Sequence, residues 1–286
     1  MERETVKDEA APVLHFGHSP DADDAFMFCA LASGRVRVPG ARIEHVIDDI
    51  QSLNRRALSA ELPVTAVSAA VYPRIAKDYW VLSSGASVGR GYGPIVVAPR
   101  AMTRRELSGR RIAVPGPETT AYLLLRIYLE DFVPVQMNFQ EILPAVRSGQ
   151  AEAGLIIHEG QLNFASAGAV KCLDLGSLWS EETGLPIPLG LDVARKDLGM
   201  DRAGEISRAL KASVAWARAH EDEAIDYALR YARGTDRETA RRFVRMYVNE
   251  DTLDLGDDGL RALEELFARG SARGLCGSPG RIQLVS

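Results

Sequence analysis

The sequence predicts an α/β protein of two lobes, on three observations. Strand-like and helix-like segments alternate, the alternation restarts near residues 98–110, and a helical tail returns after the extended run LPIPLGLDVA. Such alternation argues for parallel sheets covered by helices on both faces. With 286 residues the chain has room for two lobes, since single cores stop growing near ~250–300 residues. The element order assigns 13–97 and 190–286 to a large discontinuous lobe and 98–189 to a small one. The chain would cross between them near Gly93–Ala98 and Pro188–Ala194.

VLHF (13–16) reads as a short buried strand, followed by the loop GHSPD and a helix over about 22–33. The carboxylates Asp21, Asp23 and Asp24 at its start suit the positive end of the helix dipole. ARIEHVI (41–47) alternates as a strand does, and IQSLNRRALSA reads as a helix. VTAVSAA (64–70) is a strand running into a helix, and WVLSSGASV (80–88) and GPIVVAP (93–99) are extended runs separated by glycines. The stretch SSGASVGRGYGP lacks the lysine of GxxxxGK[ST] and the last spacing of GxGxxG. Close backbone approach at a crossing explains its glycines better than a phosphate does. RIAVPGPETTAYLLLRIYLE gives a strand, a Pro-Gly-Pro turn and a helix opened by Glu118, Thr119 and Thr120. VQMNF is then a strand, QEILPAVRSG a helix and EAGLIIHEG a strand ending in a polar cluster, while 205–233 and 236–248 are amphipathic helices.

Apolar residues at 46% and charged residues at 26% give the balance of an ordinary soluble globular protein. The net charge of −5, with Lys and Arg scattered, offers no basic stripe and argues against nucleic acid, though a small anionic substrate remains compatible. Cys29, Cys172 and Cys276 are odd in number and have no Cys-x-x-Cys spacing, so neither a disulfide framework nor a zinc site is expected. The polar start MERETVKDEAAP resembles no signal sequence, and no run is long enough to span a membrane. The expectation is a cytoplasmic protein, monomeric or homodimeric, with no membrane partner.

In open α/β sheets ligands sit beyond the carboxyl ends of the strands. Those positions hold His18, Ser19 and Asp21 after VLHF, Ser68 after VTAV, Thr119 and Thr120 after RIAV, and His158, Glu159 and Gln161 after AGLII. The Thr119 and Thr120 hydroxyls, with the free N–H groups of a first helical turn, suit a carboxylate or phosphate; equally, one of them is an N-cap. His158 suits a general acid or base at neutral pH, or a structural histidine bonded to backbone. Neighbours on a strand face opposite ways, so joint use of His158 and Glu159 requires a bend. Asp21, Asp23 and Asp24 lack the glycine and glutamate of a calcium loop, and no metal is expected. LPIPL is either a rigid pocket wall or an interlobe crossing. Tyr92, Tyr122 and Phe164 are candidate aromatic walls or core residues.

Taken together, HSPDADDAFMF, SSGASVGRGYGP, VPGPETTAYLLL, GLIIHEGQL, GLPIPLG and MYVNEDTLD form a pattern from about residue 14 to 256. It resembles the menaquinone-biosynthesis enzymes of the futalosine pathway, above all those that form 1,4-dihydroxy-6-naphthoate. The resemblance implies a type II periplasmic-binding-protein-like fold with a central cleft. It also implies cofactor-free conversion of cyclic dehypoxanthinyl futalosine into 1,4-dihydroxy-6-naphthoate by a carbon–carbon lyase. His158 would then be the general base, its tautomer set by Glu159 or a backbone group. Thr119, Thr120 and the adjoining Ala121 would take the substrate carboxylate, and Ser19 would belong to the family's Ser-Pro loop. Ala22-Asp23-Asp24 departs from the Pro-Asn-Asp common in the family. An added acid suits sugar hydroxyls, so Asp21 and Asp23 are placed against the ribose-derived part. Ser68, Glu159 and Gln161 complete the expected substrate-binding set. Two alternatives are chorismate dehydratase of the same pathway and a non-catalytic solute-binding protein with the same architecture.

Overall fold

A computed structural model describes residues 11–231 and 235–286. Most of the polar start, and the end of the helix expected over 205–233, lie outside the described residues. The chain begins with β1 (Val13–His18), α1 (Ala22–Ala32), β2 (Arg42–Ile47), α2 (Ile50–Leu58), β3 (Val64–Ser68), α3 (Tyr72–Ile75), β4 (Tyr79–Leu82) and β5 (Ser87–Gly89). It continues through β6 (Ile95–Ala98), α4 (Arg104–Leu107), β7 (Arg111–Val114), α5 (Thr120–Tyr128), β8 (Val133–Gln136), α6 (Ile142–Ser148), β9 (Ala153–Ile156), α7 (Gly160–Asn163), β10 (Val170–Asp174) and α8 (Leu175–Thr183). It ends with β11 (Ile187–Arg195), α9 (Met200–Ala219), α10 (Glu221–Ala228), α11 (Arg237–Tyr247), α12 (Glu250–Leu253), α13 (Gly256–Ala272) and β12 (Leu284–Val285).

One sheet has the order β12-β4-β11-β3-β1-β2, with β5 also paired to β11; the other runs β10-β6-β9-β7-β8. Both sheets are mixed, which corrects the parallel expectation. β2 and β3 flank β1 in parallel, but β11 is antiparallel to β3, β4 and β5, and β6 to β9 and β10. A parallel neighbour needs a crossover connection, and β6 and β11 are the strands that enter each sheet directly from the other.

Several elements depart from the sequence expectation. WVLSSGASV divides into β4 and β5 around Gly85, whose φ is +97°. A Cβ there would lie 2.0 Å from Asp192 Oδ2. The strand expected at VQMNF begins earlier, at Val133, and Phe139 starts a single 3₁₀ turn. The strand of EAGLIIHEG stops at Ile156, so His158 and Glu159 lie in a turn before α7. His220 separates α9 from α10 with non-helical φ −125°, ψ 47°. Close approach at the crossing is seen at Gly176, where a Cβ would meet the Tyr92 carbonyl carbon at 2.1 Å.

α1 explains the run AFMFCALA. Every residue from Ala22 to Leu31 is buried, with α9, α10 and α11 against it. A helix surrounded by protein has no face to give to water, so it carries no polar stripe. Phe28 stacks on His18 with ring centroids 4.7 Å apart. Phe28→Ala is expected to cost about 3–5 kcal/mol of stability, measured by urea unfolding; an unchanged midpoint would contradict this packing.

Candidate active site

The first strand and helix meet inside the molecule, and polar groups are assembled around that junction. Burial shields the first N–H groups of α1 from water, and a glutamate takes the first of them. The backbone N–H of Ala22 donates to Glu159 Oε1 at 3.3 Å, and that of Ser19 donates to Asp24 Oδ2 at 2.8 Å. The Asp21 N–H donates to Ser19 Oγ at 3.1 Å, and Ser87 Oγ donates to Asp23 Oδ2 at 3.2 Å. The glutamate reaches in from the other sheet's side, so this contact joins the two lobes.

A cavity of about 100 Å³ opens beside the junction. Ser19, Asp21, Asp23 and Asp24 line it from the first loop and helix, Ser68 from the end of β3, and Thr119, Thr120 and Ala121 from the start of α5. Leu189 supplies the wall expected of LPIPL. A second cavity, of about 270 Å³, is lined by Asp21, Phe139, His158, Glu159 and Asn163 among others. Asp21 lines both. Ile157 faces the first cavity and His158 the second, so the structure gathers the expected residues into two adjoining spaces.

The threonine hydroxyls are occupied by the fold. Thr119 Oγ1 donates to Gly116 O at 2.9 Å and accepts the Tyr122 N–H at 3.2 Å, the N-cap arrangement. Thr120 Oγ1 donates to Leu189 O at 2.6 Å and accepts the Ala70 N–H at 3.1 Å. Neither hydroxyl hydrogen is free for a ligand. The first-turn N–H groups of Thr120 and Ala121 have no intrahelical acceptor, and these are the donors the site offers.

Gln161 lines neither cavity; its Oε1 accepts from the Tyr247 hydroxyl at 2.9 Å. Among the described residues, Glu159 makes no hydrogen bond to His158 and the buried His158 Nδ1 has no partner, so no contact there sets its tautomer. His18 is removed from the cleft. Its Nδ1–H donates to Ser19 O at 2.9 Å, and its Nε2 accepts from His45 Nδ1–H at 3.1 Å. Tyr92 packs on Tyr247 and Tyr122 lines a different cavity, while Phe164 packs in the smaller core cluster. The aromatic walls are instead Phe243 and Tyr247 of α11. Their spacing of four residues on an amphipathic helix reads as core, which carries no separate signal for a pocket wall. Asn54 supports the site with no motif of its own in the sequence. It is fully buried, accepts the Ser68 N–H at 2.8 Å and donates to Ser68 Oγ at 3.0 Å.

Burial sets the electrostatics. It holds His158, His18 and His45 down at about 4, so all three are neutral at physiological pH. It raises Asp21 well above the ordinary carboxylate value, with the Glu159, Asp23 and Asp24 charges adding to the effect. Asp23 is pushed up to about 7 by burial and then by Asp24. Burial also raises Asp24 and Glu159. Burial thus favours the protonated form of each of these carboxyls. A protonated carboxyl can also donate a hydrogen bond.

The family model described as menaquinone biosynthesis matches residues 14–272. A 1,4-dihydroxy-6-naphthoate synthase of Thermus thermophilus is 45% identical over 262 residues, 92% of this chain and 95% of that protein. One of Streptomyces coelicolor is 41% identical over 273 residues, 93% of this chain and 95% of that protein. A crystal structure of a protein from Archaeoglobus fulgidus superposes with a TM-score of 0.88 at 49% identity, covering 92% of this chain and 98% of the other. The alkanesulfonate-binding protein of Xanthomonas axonopodis, at 14% identity, superposes with a TM-score of 0.71 over 96% of this chain and 97% of its own. That likeness shows a periplasmic-binding-protein-like fold. Among the described residues, no helix is long and apolar enough to cross a membrane and no cluster suits a metal ion.

The two classes of buried group give stability opposite pH dependences. The folded values of the three histidines lie below 6.5, so their contribution is full above that pH and is lost as pH falls toward about 4. Asp23 has a folded value above its ordinary 3.8, so its contribution is present at low pH and lost as pH rises through about 7. Asp23→Asn is expected to raise the melting temperature at pH 8 by about 2 °C or more, with little change at pH 4. Equal melting of the two proteins at pH 8 would contradict a buried, ionisable Asp23.

Proposed function

The chain belongs to the menaquinone-biosynthesis family, and we propose that within it the protein is a carbon–carbon lyase. The substrate is cyclic dehypoxanthinyl futalosine and the product 1,4-dihydroxy-6-naphthoate. The observation that carries this reading is that Asp21 borders both cavities. Neither space alone reaches the ~300–1,000 Å³ usual for a small-molecule site. A substrate with an aromatic-acid end and a sugar-derived end would occupy both, meeting Asp21 where its two parts join. Hinge opening, the usual motion of two-lobed binders, would admit it.

The aromatic-acid end lies in the first cavity, between Leu189 and the α11 aromatics. Its carboxylate is held by the N–H groups of Thr120 and Ala121 at the positive end of α5. The sugar-derived end lies in the second cavity, where Asp21 and Glu159 bind its hydroxyls. His158, neutral because it is buried, takes the proton of a hydroxyl on that fragment. The oxygen electrons form a carbonyl, the adjacent carbon–carbon bond breaks, and its electron pair passes into the ring onto a ring oxygen, which takes the proton back from His158 as the ring becomes aromatic. Aromatisation supplies the driving force, leaving the protein to position the substrate and move the proton.

Incubation of the protein with cyclic dehypoxanthinyl futalosine and, separately, with chorismate, followed by mass spectrometry, is expected to yield dihydroxynaphthoate from the first alone. Turnover of chorismate instead would assign the sibling dehydratase reaction. His158→Ala is expected to reduce turnover about 10²–10⁴-fold while substrate affinity stays within a few-fold; unchanged turnover would remove His158 from this role. Ala121→Pro deletes one first-turn N–H at a position where a helix tolerates proline. It is expected to raise KM about tenfold, and an unchanged KM would place the carboxylate elsewhere.

A further inference from the structure

We infer that a cavity on the outer side of α5 is a second binding site, for a small organic carboxylate. The cavity has a volume of about 300 Å³ and shares no lining residue with either space of the cleft. α5 separates them: Thr119, Thr120 and Ala121 face the cleft, whereas Glu118, Tyr122 and Arg126 line the outer cavity with Arg74 of α3 and Cys276 of the tail.

Two guanidinium groups border this space against one carboxylate. Arg74 is paired with Glu118 at 2.5 Å. Arg126 makes no ion pair among the described residues. Among the described residues its one hydrogen bond is a 3.5 Å contact from Nη1 to the Tyr122 hydroxyl, and its Nε is buried without a partner. A guanidinium carries five donors in a planar fork that matches a carboxylate, so Arg126 has most of its capacity unspent. The unspent donors are those of the two Nη groups, since Nε has no accessible surface, and an anion seated on them gains charge-assisted hydrogen bonds. Pro117, Leu123 and Leu275 supply apolar walls. A charged end facing Arg126 and an apolar body against those walls describe a carboxylate of benzoate size rather than a bare inorganic ion.

Cys276 lines the same cavity and serves as a local reporter. The full chain is treated with N-ethylmaleimide with and without benzoate, and the modification of each cysteine is followed by mass spectrometry. Benzoate is expected to slow alkylation of Cys276 about tenfold once it reaches about ten times its dissociation constant, leaving Cys172, which lies outside this cavity, unchanged. Inorganic phosphate at the same concentrations is expected to protect far less. Arg126→Met, checked for an unchanged circular dichroism spectrum, is expected to abolish the protection. Absence of protection in the unmodified protein overturns the site by itself, without reference to the variant. Equal protection by phosphate overturns the organic carboxylate, and protection that survives in Arg126→Met overturns the assigned anchor.

Discussion

The start of α1 is inside the protein, and that constraint shapes the rest of the site. Helix N-termini need acceptors for their first N–H groups, and a buried one cannot take them from water. Here Asp24 satisfies Ser19 in the loop, and Glu159 satisfies Ala22 from the opposite lobe. The consequence is a group of carboxyls held out of solvent, close enough to raise one another's proton affinity. Contact between the lobes and the raised proton affinity of the pocket thus follow from one structural need.

A cluster of ionised carboxylates would repel an anionic ligand, whereas protonated ones can donate to hydroxyls and accept from them. The acidic loop is therefore compatible with a substrate that also bears a carboxylate, even though Asp21, Asp23 and Asp24 share a cavity with the first turn of α5. We propose that the charged end meets the first turn of α5, with its backbone N–H groups and the positive end of the helix dipole. Its threonines act indirectly. Thr119 caps the helix, and Thr120 ties it to Leu189 on the returning strand. They fix where the N–H groups stand relative to the cleft.

The two crossings serve the same geometry. β6 and β11 enter their sheets antiparallel to their neighbours, and the backbone of Gly176 touches that of Tyr92 and Gly93 beside the first crossing. Contact this close leaves no room for side chains. The crossing segments therefore set how the lobes face each other, and with that the separation between His158 and the α5 terminus.

The sequence alone determined the alternation of strands and helices and the strand ends at which Ser19, Ser68, Thr119 and His158 stand, because these depend on local periodicity and on glycine and proline punctuation. The order and spacing of six short motifs determined the family. Strand direction at β6 and β11 was not legible, since pairing direction depends on where a chain arrives and not on its own residues. The division of the expected site into two cavities, the occupied threonine hydroxyls and the role of Gln161 in holding Tyr247 were likewise decided by tertiary structure. So was the use of Phe243 and Tyr247 as walls: on an amphipathic helix, a residue facing a cavity and one facing the core follow the same period. Composition records which groups a chain has; only packing decides which of their hydrogen bonds are already used and which are left for a ligand.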